Sequence, residues 1–255
     1  MFKKFSAVAL AMVLGIFTAK ADEGMWLPLL LSDNEAEMQE LGLQLTAEDI
    51  YNINSSSLKD AVVSLGGFCT AEIISDQGLV LTNHHCAFGQ IQSHSSVTND
   101  YLTDGFWAMD KSEELPNEGL SVSFLVRMED MTARINAALD TVSEEERNGV
   151  IRKLSAEIVA EATTDTHYNA RVKSFFGGND FYLMVYETFD DVRLVGAPPS
   201  SIGKFGGDTD NWMWPRHTGD FALLRVYTAP DGTPAEYSEE NIPLKPKHHF
   251  PVSLD

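Results

Sequence analysis

The sequence predicts a mainly β fold interrupted by an inserted α-helical segment, and three observations carry that prediction. Short apolar or β-branched runs bounded by Gly, Pro, Asp and Asn recur at residues 71–75, 79–82, 120–126, 181–187, 192–195 and 220–227, the punctuation expected of strands. Between about residues 128 and 176 the apolar spacing changes to that of a helix. One stretch, residues 66–90, pairs two of the strands in a hairpin and follows them with a polar turn holding His84, His85 and Cys86.

Taken in order, the chain opens on a processing signal. Lys3 and Lys4 precede an apolar run over residues 5–17, and Ala19-Lys20-Ala21 supplies a small-x-small cleavage pattern. That is the form of a secretory signal peptide cut after Ala21. The run covers thirteen positions, short of the roughly 18 that a membrane span needs. The expectation is export, to the periplasm or beyond, with a mature chain starting at Asp22 and no membrane span. Residues 22–65 are mostly helical in pattern. Thr46 and Asp49 are spaced as a capping box, and Trp26, Leu27 and residues 29–31 form an apolar cluster, read as packing within the domain. In the hairpin, Asp76-Gln77-Gly78 is the turn, and Cys69 and Cys86 lie at its two ends, where a disulfide can join them. Ser93, His94, Ser95 and Ser96 read as a polar loop.

The helical segment then has two amphipathic patterns. Met131, Ile135, Ala138 and Leu139 share one stripe, and Ile151, Leu154, Ile158 and Ala162 share another. Ser143 and Glu146 are spaced as a second capping box before the latter. After the strands at 181–187 and 192–195 comes a loop of unusual composition over residues 205–219, rich in Gly, Asp and Trp. The strand at 220–227 follows, and Ala229-Pro230-Asp231-Gly232 turns the chain. Residues 242–252 read as the approach to another strand.

Composition excludes some functions. The formal charge is −20, from 18 Lys and Arg against 38 Asp and Glu, and removing Lys3, Lys4 and Lys20 with the leader makes it −23. Nucleic acid is not expected as a partner, because binding it requires a basic surface. In an oxidising compartment two cysteines favour one disulfide over free thiols or a metal site. No cofactor or metal is expected. His84, His85, Cys86 and His94 fit no paired Cys or H-E-x-x-H spacing, and Asp208 with Asp210 lacks the further ligands that calcium needs.

The chemistry is carried by Thr82-Asn83-His84-His85-Cys86 and, far along the chain, Asp220-Phe221-Ala222-Leu223-Leu224. A T-x-x-H-C pattern at a strand end, paired with an upstream cysteine, resembles the histidine region of chymotrypsin-like serine peptidases. The resemblance makes His85 the general base and His84 a structural neighbour. It makes Asp220 the acid that fixes the tautomer of His85 and stabilises its imidazolium. Longer motifs narrow the resemblance. Asp22-Glu23-Gly24-Met25-Trp26, the histidine motif, and Gly206-Gly207-Asp208-Thr209-Asp210-Asn211-Trp212-Met213-Trp214-Pro215-Arg216-His217-Thr218-Gly219-Asp220 are similar to the bacterial dipeptidyl-peptidase 7 and dipeptidyl-peptidase 11 family.

That resemblance implies a chymotrypsin-like double β-barrel peptidase domain with a helical cap, and a homodimeric exopeptidase that removes dipeptides from free N-termini. It implies that Asn211 and Trp212 bind the substrate's terminal ammonium, a role an amide oxygen and an aromatic face suit. Trp214 is read as core filling in the same loop. The family's serine, in a glycine-rich turn, has no counterpart here: Ser64, Ser75, Ser95, Ser200 and Ser201 lack that context. The expectation is therefore a partial domain, residues 22–255, whose remainder and cap lie elsewhere. Two alternatives stand beside it: a non-catalytic peptide-binding relative, and a chymotrypsin-like endopeptidase.

Overall fold

The computed structural model describes residues 26–253; the signal-peptide reading and most of the mature-start motif fall outside them. Two compact units divide at Gln44. The described part of the first is a 3-10 turn, Pro28–Asp33, and a short helix, Glu35–Glu40. The second unit, from Leu45 onward, contains the sheet and the site.

It begins with one helical turn, Ala47–Ile50, whose capping box is formed: the backbone N–H of Asp49 donates to Thr46 Oγ1 and that of Thr46 donates to Asp49 Oδ2. The strands are β1 (Val62–Leu65), β2 (Cys69–Ile73), β3 (Leu79–Thr82), β4 (Phe106–Trp107), β5 (Leu115–Pro116), β6 (Val122–Asp130), β7 (Asn169–Phe175), β8 (Asp180–Phe189), β9 (Val192–Ala197), β10 (Ala222–Thr228) and β11 (Ile242–Pro243). They form one antiparallel sheet in the order β4-β9-β10-β3-β2-β1-β6-β8-β7, with β11 on β10 and β5 on β9. The inward residues of its central strands, among them Val63, Leu65, Ala71, Ile73, Val80, Val122, Leu194 and Leu224, share a single core. Along β1, β2 and β10 the contributed residues are every second one, as the pleat requires.

Among the described residues, three helices longer than two turns accompany the sheet: α1 (His84–His94), α2 (Thr132–Leu139) and α3 (Glu144–Thr163). The last two lie between β6 and β7 and pack Ile135, Leu139 and Ile158 with Phe181, Leu183 and Val185 in a second core. Both stripes read from the sequence are used. The segment is shorter than the 128–176 expected, because residues 128–130 finish β6 and β7 occupies 169–175. Ala170 and Val172 are the apolar residues of β7 that pack against this second core, too few for the alternation to stand out. Ser143 caps differently from expectation. Its hydroxyl bonds the side chain of Glu146 at 2.9 Å, and no side-chain bond to the helix backbone forms. No helix among the described residues is long and apolar enough to cross a membrane.

Candidate active site

The ends of β3 and β10 build the site. Thr82 and Ala222 face each other in the antiparallel register, so continuing forward from Thr82 and backward from Ala222 leads to the same end of the sheet. Asn83 and His85 therefore meet Asp220 across 137 and 135 residues of sequence. Residues 84–86 are not the polar turn expected after β3 but the first turn of α1. This decides between the two histidines. Consecutive helical residues point about 100° apart, and the buried face of α1 runs through His84, Ala87 and Ile91. His84 is thus turned inward, 2 % exposed, while the His85 side chain is 70 % exposed. The Cys86 and Cys69 sulfurs stand 2.03 Å apart, which sets the same helical turn against the start of β2.

Asp220 gathers three donors. Its Oδ1 accepts from the backbone N–H of His85 at 3.1 Å, and its Oδ2 lies 2.7 Å from His85 Nδ1 and 3.4 Å from Asn83 Nδ2. Asn83 Nδ2 also donates to the Asp220 carbonyl at 3.1 Å. Although Asn83 is the N-cap of α1, its side chain makes no capping bond; the amide is spent on Asp220. A carboxylate only accepts, so the proton of a neutral His85 sits on Nδ1 and its Nε2 keeps the lone pair a general base needs.

Beside this pair opens a cleft of about 800 Å³, lined by His85 and Asp220 together with Asn211, Trp212, Arg216 and Lys204. The four residues expected to act together are therefore in one place. Asn211 is half-buried and within 2.6 Å of the Thr218 hydroxyl. Trp212 is 78 % exposed and carries the Arg216 guanidinium 4.4 Å above its ring. Trp214 is 87 % exposed, which corrects its reading as core filling: the 205–219 loop has no enclosed interior for a large ring. Lys204 pairs with Asp208, so Asp208 serves loop structure. Among the described residues no group of three His, Cys, Asp or Glu side chains is placed to hold a metal ion. His94 ends α1, not a loop, with Nε2 3.1 Å from Asn117 Oδ1.

Several contributors escaped sequence reasoning. Gly203 lies flat against the His84 ring: a Cβ there would overlap its Cγ, Cδ2 and Nδ1 atoms. Burial, the dominant cause, pushes the His84 imidazole below its ordinary range, with Asp220 opposing the shift. His84 Nε2 and Ser200 Oγ are buried with no hydrogen-bond partner among the described residues. Ser200 thus lines the cleft without a hydrogen bond to His85, the contact that marks a serine activated by a base. None of these roles has a local signature, since each depends on which distant segment comes alongside.

Residues 21–255 match the profile of Peptidase S46. The chain belongs to that family. Two of the relatives it resembles come from Capnocytophaga gingivalis. An Asp/Glu-specific dipeptidyl-peptidase is 52 % identical over 96 % of this chain, and a dipeptidyl-peptidase 7 is 50 % identical over 98 % of it. The chain spans 35 % of the length of each. Among solved structures, that of Porphyromonas endodontalis DPP11 in complex with the dipeptide Arg-Glu superposes with a TM-score of 0.82 at 49 % identity. The match covers 90 % of this chain and 34 % of that one. The mainly antiparallel β fold with added helices is thus that of the S46 peptidase DPP11, over a part of its domain.

Proposed function

We propose that this chain is the part of a serine-type dipeptidyl peptidase that carries the general base and its orienting acid, in a protein that releases dipeptides from free peptide N-termini. The observation that carries the reading is the 2.7 Å contact between His85 Nδ1 and Asp220 Oδ2, at the edge of the cleft that Asn211 and Trp212 also line. In this reading His85 Nε2 takes the proton of a serine hydroxyl as its oxygen bonds the substrate carbonyl carbon. The C–N bond then breaks, the same proton passes to the leaving amine, and the dipeptide is left as a serine ester. His85 next takes a proton from water as the water oxygen attacks that ester, and returns it to the serine oxygen as the dipeptide leaves. Asp220 stabilises the imidazolium between each pair of transfers. The serine and the oxyanion donors are assigned to protein beyond Asp255. The length of the S46 relatives, about three times that of this chain by the shares covered, supports that assignment.

Asn211 and Trp212 are assigned to the substrate's terminal ammonium, through an amide oxygen and the face of an indole. An endopeptidase has no free amine to hold, so this loop favours an exopeptidase. Binding of peptide in such a cleft is supported by DPP11, whose structures include complexes with Arg-Glu and Arg-Asp. Near-equal identity to an Asp/Glu-specific enzyme and to a dipeptidyl-peptidase 7 supports placing side-chain selection in the region this chain does not span. Export after cleavage at Ala21, an oxidised Cys69–Cys86 pair and a homodimeric full-length enzyme belong to the same proposal.

The test compares the full-length protein, its His85→Ala variant and residues 22–255 alone on a peptide with a free and with an acetylated N-terminus. Dipeptide release from the free peptide only, by the unmodified full-length protein only, is expected. Equal cleavage of the acetylated peptide would make it an endopeptidase, and turnover by residues 22–255 that His85→Ala abolishes would place the nucleophile within them.

A further inference from the structure

Thr218 lies two residues before Asp220 and beside Asn211. Its hydroxyl faces two oxygens, the Phe205 carbonyl at 3.2 Å and Asn211 Oδ1 at 2.6 Å. A hydroxyl has one proton and cannot donate to both. The shorter contact has the length of an O–H···O bond, so the Thr218 hydroxyl donates to Asn211 Oδ1. That oxygen has a second lone pair, which the bond leaves available on a residue that lines the cleft. The Phe205 carbonyl is itself held in place, because the backbone N–H of Gly219 donates to the Ile202 carbonyl at 3.0 Å and fastens the 202–205 turn to the strand approach.

We propose that Thr218 is a positioning residue that sets the Asn211 amide so that its oxygen, and not its NH₂, meets the substrate's terminal ammonium. An ammonium only donates, so an NH₂ turned toward it would repel it, whereas an oxygen held by Thr218 is ready before the substrate arrives. The inference rests on the reading of Asn211 as an ammonium ligand.

The experiment measures kcat and KM for a dipeptidyl substrate with a free N-terminus, in the full-length enzyme carrying Thr218→Val, Thr218→Ser or Asn211→Ala. Thr218→Val keeps the branched shape and removes the hydroxyl. It should raise KM roughly 10-fold or more, the scale of a hydrogen bond to a charged group, and alter kcat far less. Thr218→Ser should return KM close to the original value. Combining Thr218→Val with Asn211→Ala should add little to Asn211→Ala alone, since the two act as one unit. If Asn211→Ala raises KM and Thr218→Val does not, the positioning role is wrong. A loss in kcat with unchanged KM, or no recovery in Thr218→Ser, would equally overturn it. If Asn211→Ala itself leaves KM unchanged, the assignment of Asn211 fails and the inference with it. Thermal unfolding accompanies each variant, and Thr218→Ala replaces Thr218→Val under the same criteria if the latter does not fold.

Discussion

Asp220→Asn keeps the shape of the side chain and removes its charge, and the hydrogen bonds determine how the site responds. The carboxylate serves the backbone N–H of His85 with one oxygen and the ring Nδ1 with the other. An amide has only one oxygen. The backbone N–H cannot change character, whereas an imidazole can move its proton between nitrogens. The amide oxygen therefore settles on the backbone N–H, its NH₂ donates to Nδ1, and the proton of His85 moves to Nε2, the nitrogen that must receive one during attack. The charge that stabilises the imidazolium is lost as well. The expected fall in kcat is about 10⁴-fold, or roughly 5.5 kcal/mol of barrier at about 1.36 kcal/mol per decade. Stability should scarcely change. The His85 side chain is 70 % exposed, and an ion pair so open to solvent contributes about 0–1 kcal/mol, while the bond to the backbone N–H survives. Steady-state kinetics and urea unfolding of the full-length enzyme measure the two quantities. A rate within about 10-fold of the original, or a rate loss accompanied by several kcal/mol of destabilisation, would show that Asp220 holds the fold and not the tautomer.

Three further perturbations follow from the contacts around the pair. Because burial holds His84 below its ordinary range near 6.5, the unfolded chain takes up a proton that the folded one resists, and stability falls as pH drops below about 6.5. His84→Phe removes that uptake. Its unfolding free energy should decline between pH 7 and pH 5 less steeply than that of the original, by up to about 1.4 kcal/mol per pH unit, and parallel curves would refute the assignment. Gly203→Ala drives a Cβ into the His84 ring and should cost roughly 1–3 kcal/mol; in a double-mutant cycle His84→Ala should relieve much of that cost, and strict additivity would show that the two do not press on each other. Replacing Cys69 and Cys86 by Ser opens a bridge across 17 residues and should lower stability by about 3 kcal/mol. An unfolding midpoint unmoved by reductant in the parent protein would argue against the bridge.

How far this site could be read from the sequence depends on what each residue owes to its neighbours in the chain. The hairpin, β9 and β10 were legible because alternation and turn residues are local, and the capping box at Thr46 was legible because both partners lie within one turn. β1 was missed: Val63 and Leu65 are two inward residues inside a stretch that otherwise reads as helix. α1 was missed because its first turn is polar and its N-cap side chain is engaged elsewhere. His85 and Asp220 were separable from the other titratable groups only through motifs, and it is the pairing of Thr82 with Ala222 that brings them together.

The residues that hold those groups in place form a different class. Asn83, Gly203 and Thr218 are ordinary loop residues by composition, and each acts on a group reached only after folding: Asn83 on Asp220, Gly203 on the His84 ring, Thr218 on Asn211. The backbone near Asp220 connects them. The strand that delivers the acid also carries Thr218 to Asn211, and Gly219 to the turn containing Gly203. One register, Thr82 against Ala222, therefore places the proposed base, its proposed acid and the supports of the proposed ammonium ligand. A shift of one residue in that pairing would turn every side chain of β10 to the opposite face and separate all three at once. The buried, alternating faces of β3 and β10 are accordingly part of the proposed catalytic arrangement, although none of their side chains touches a substrate in it.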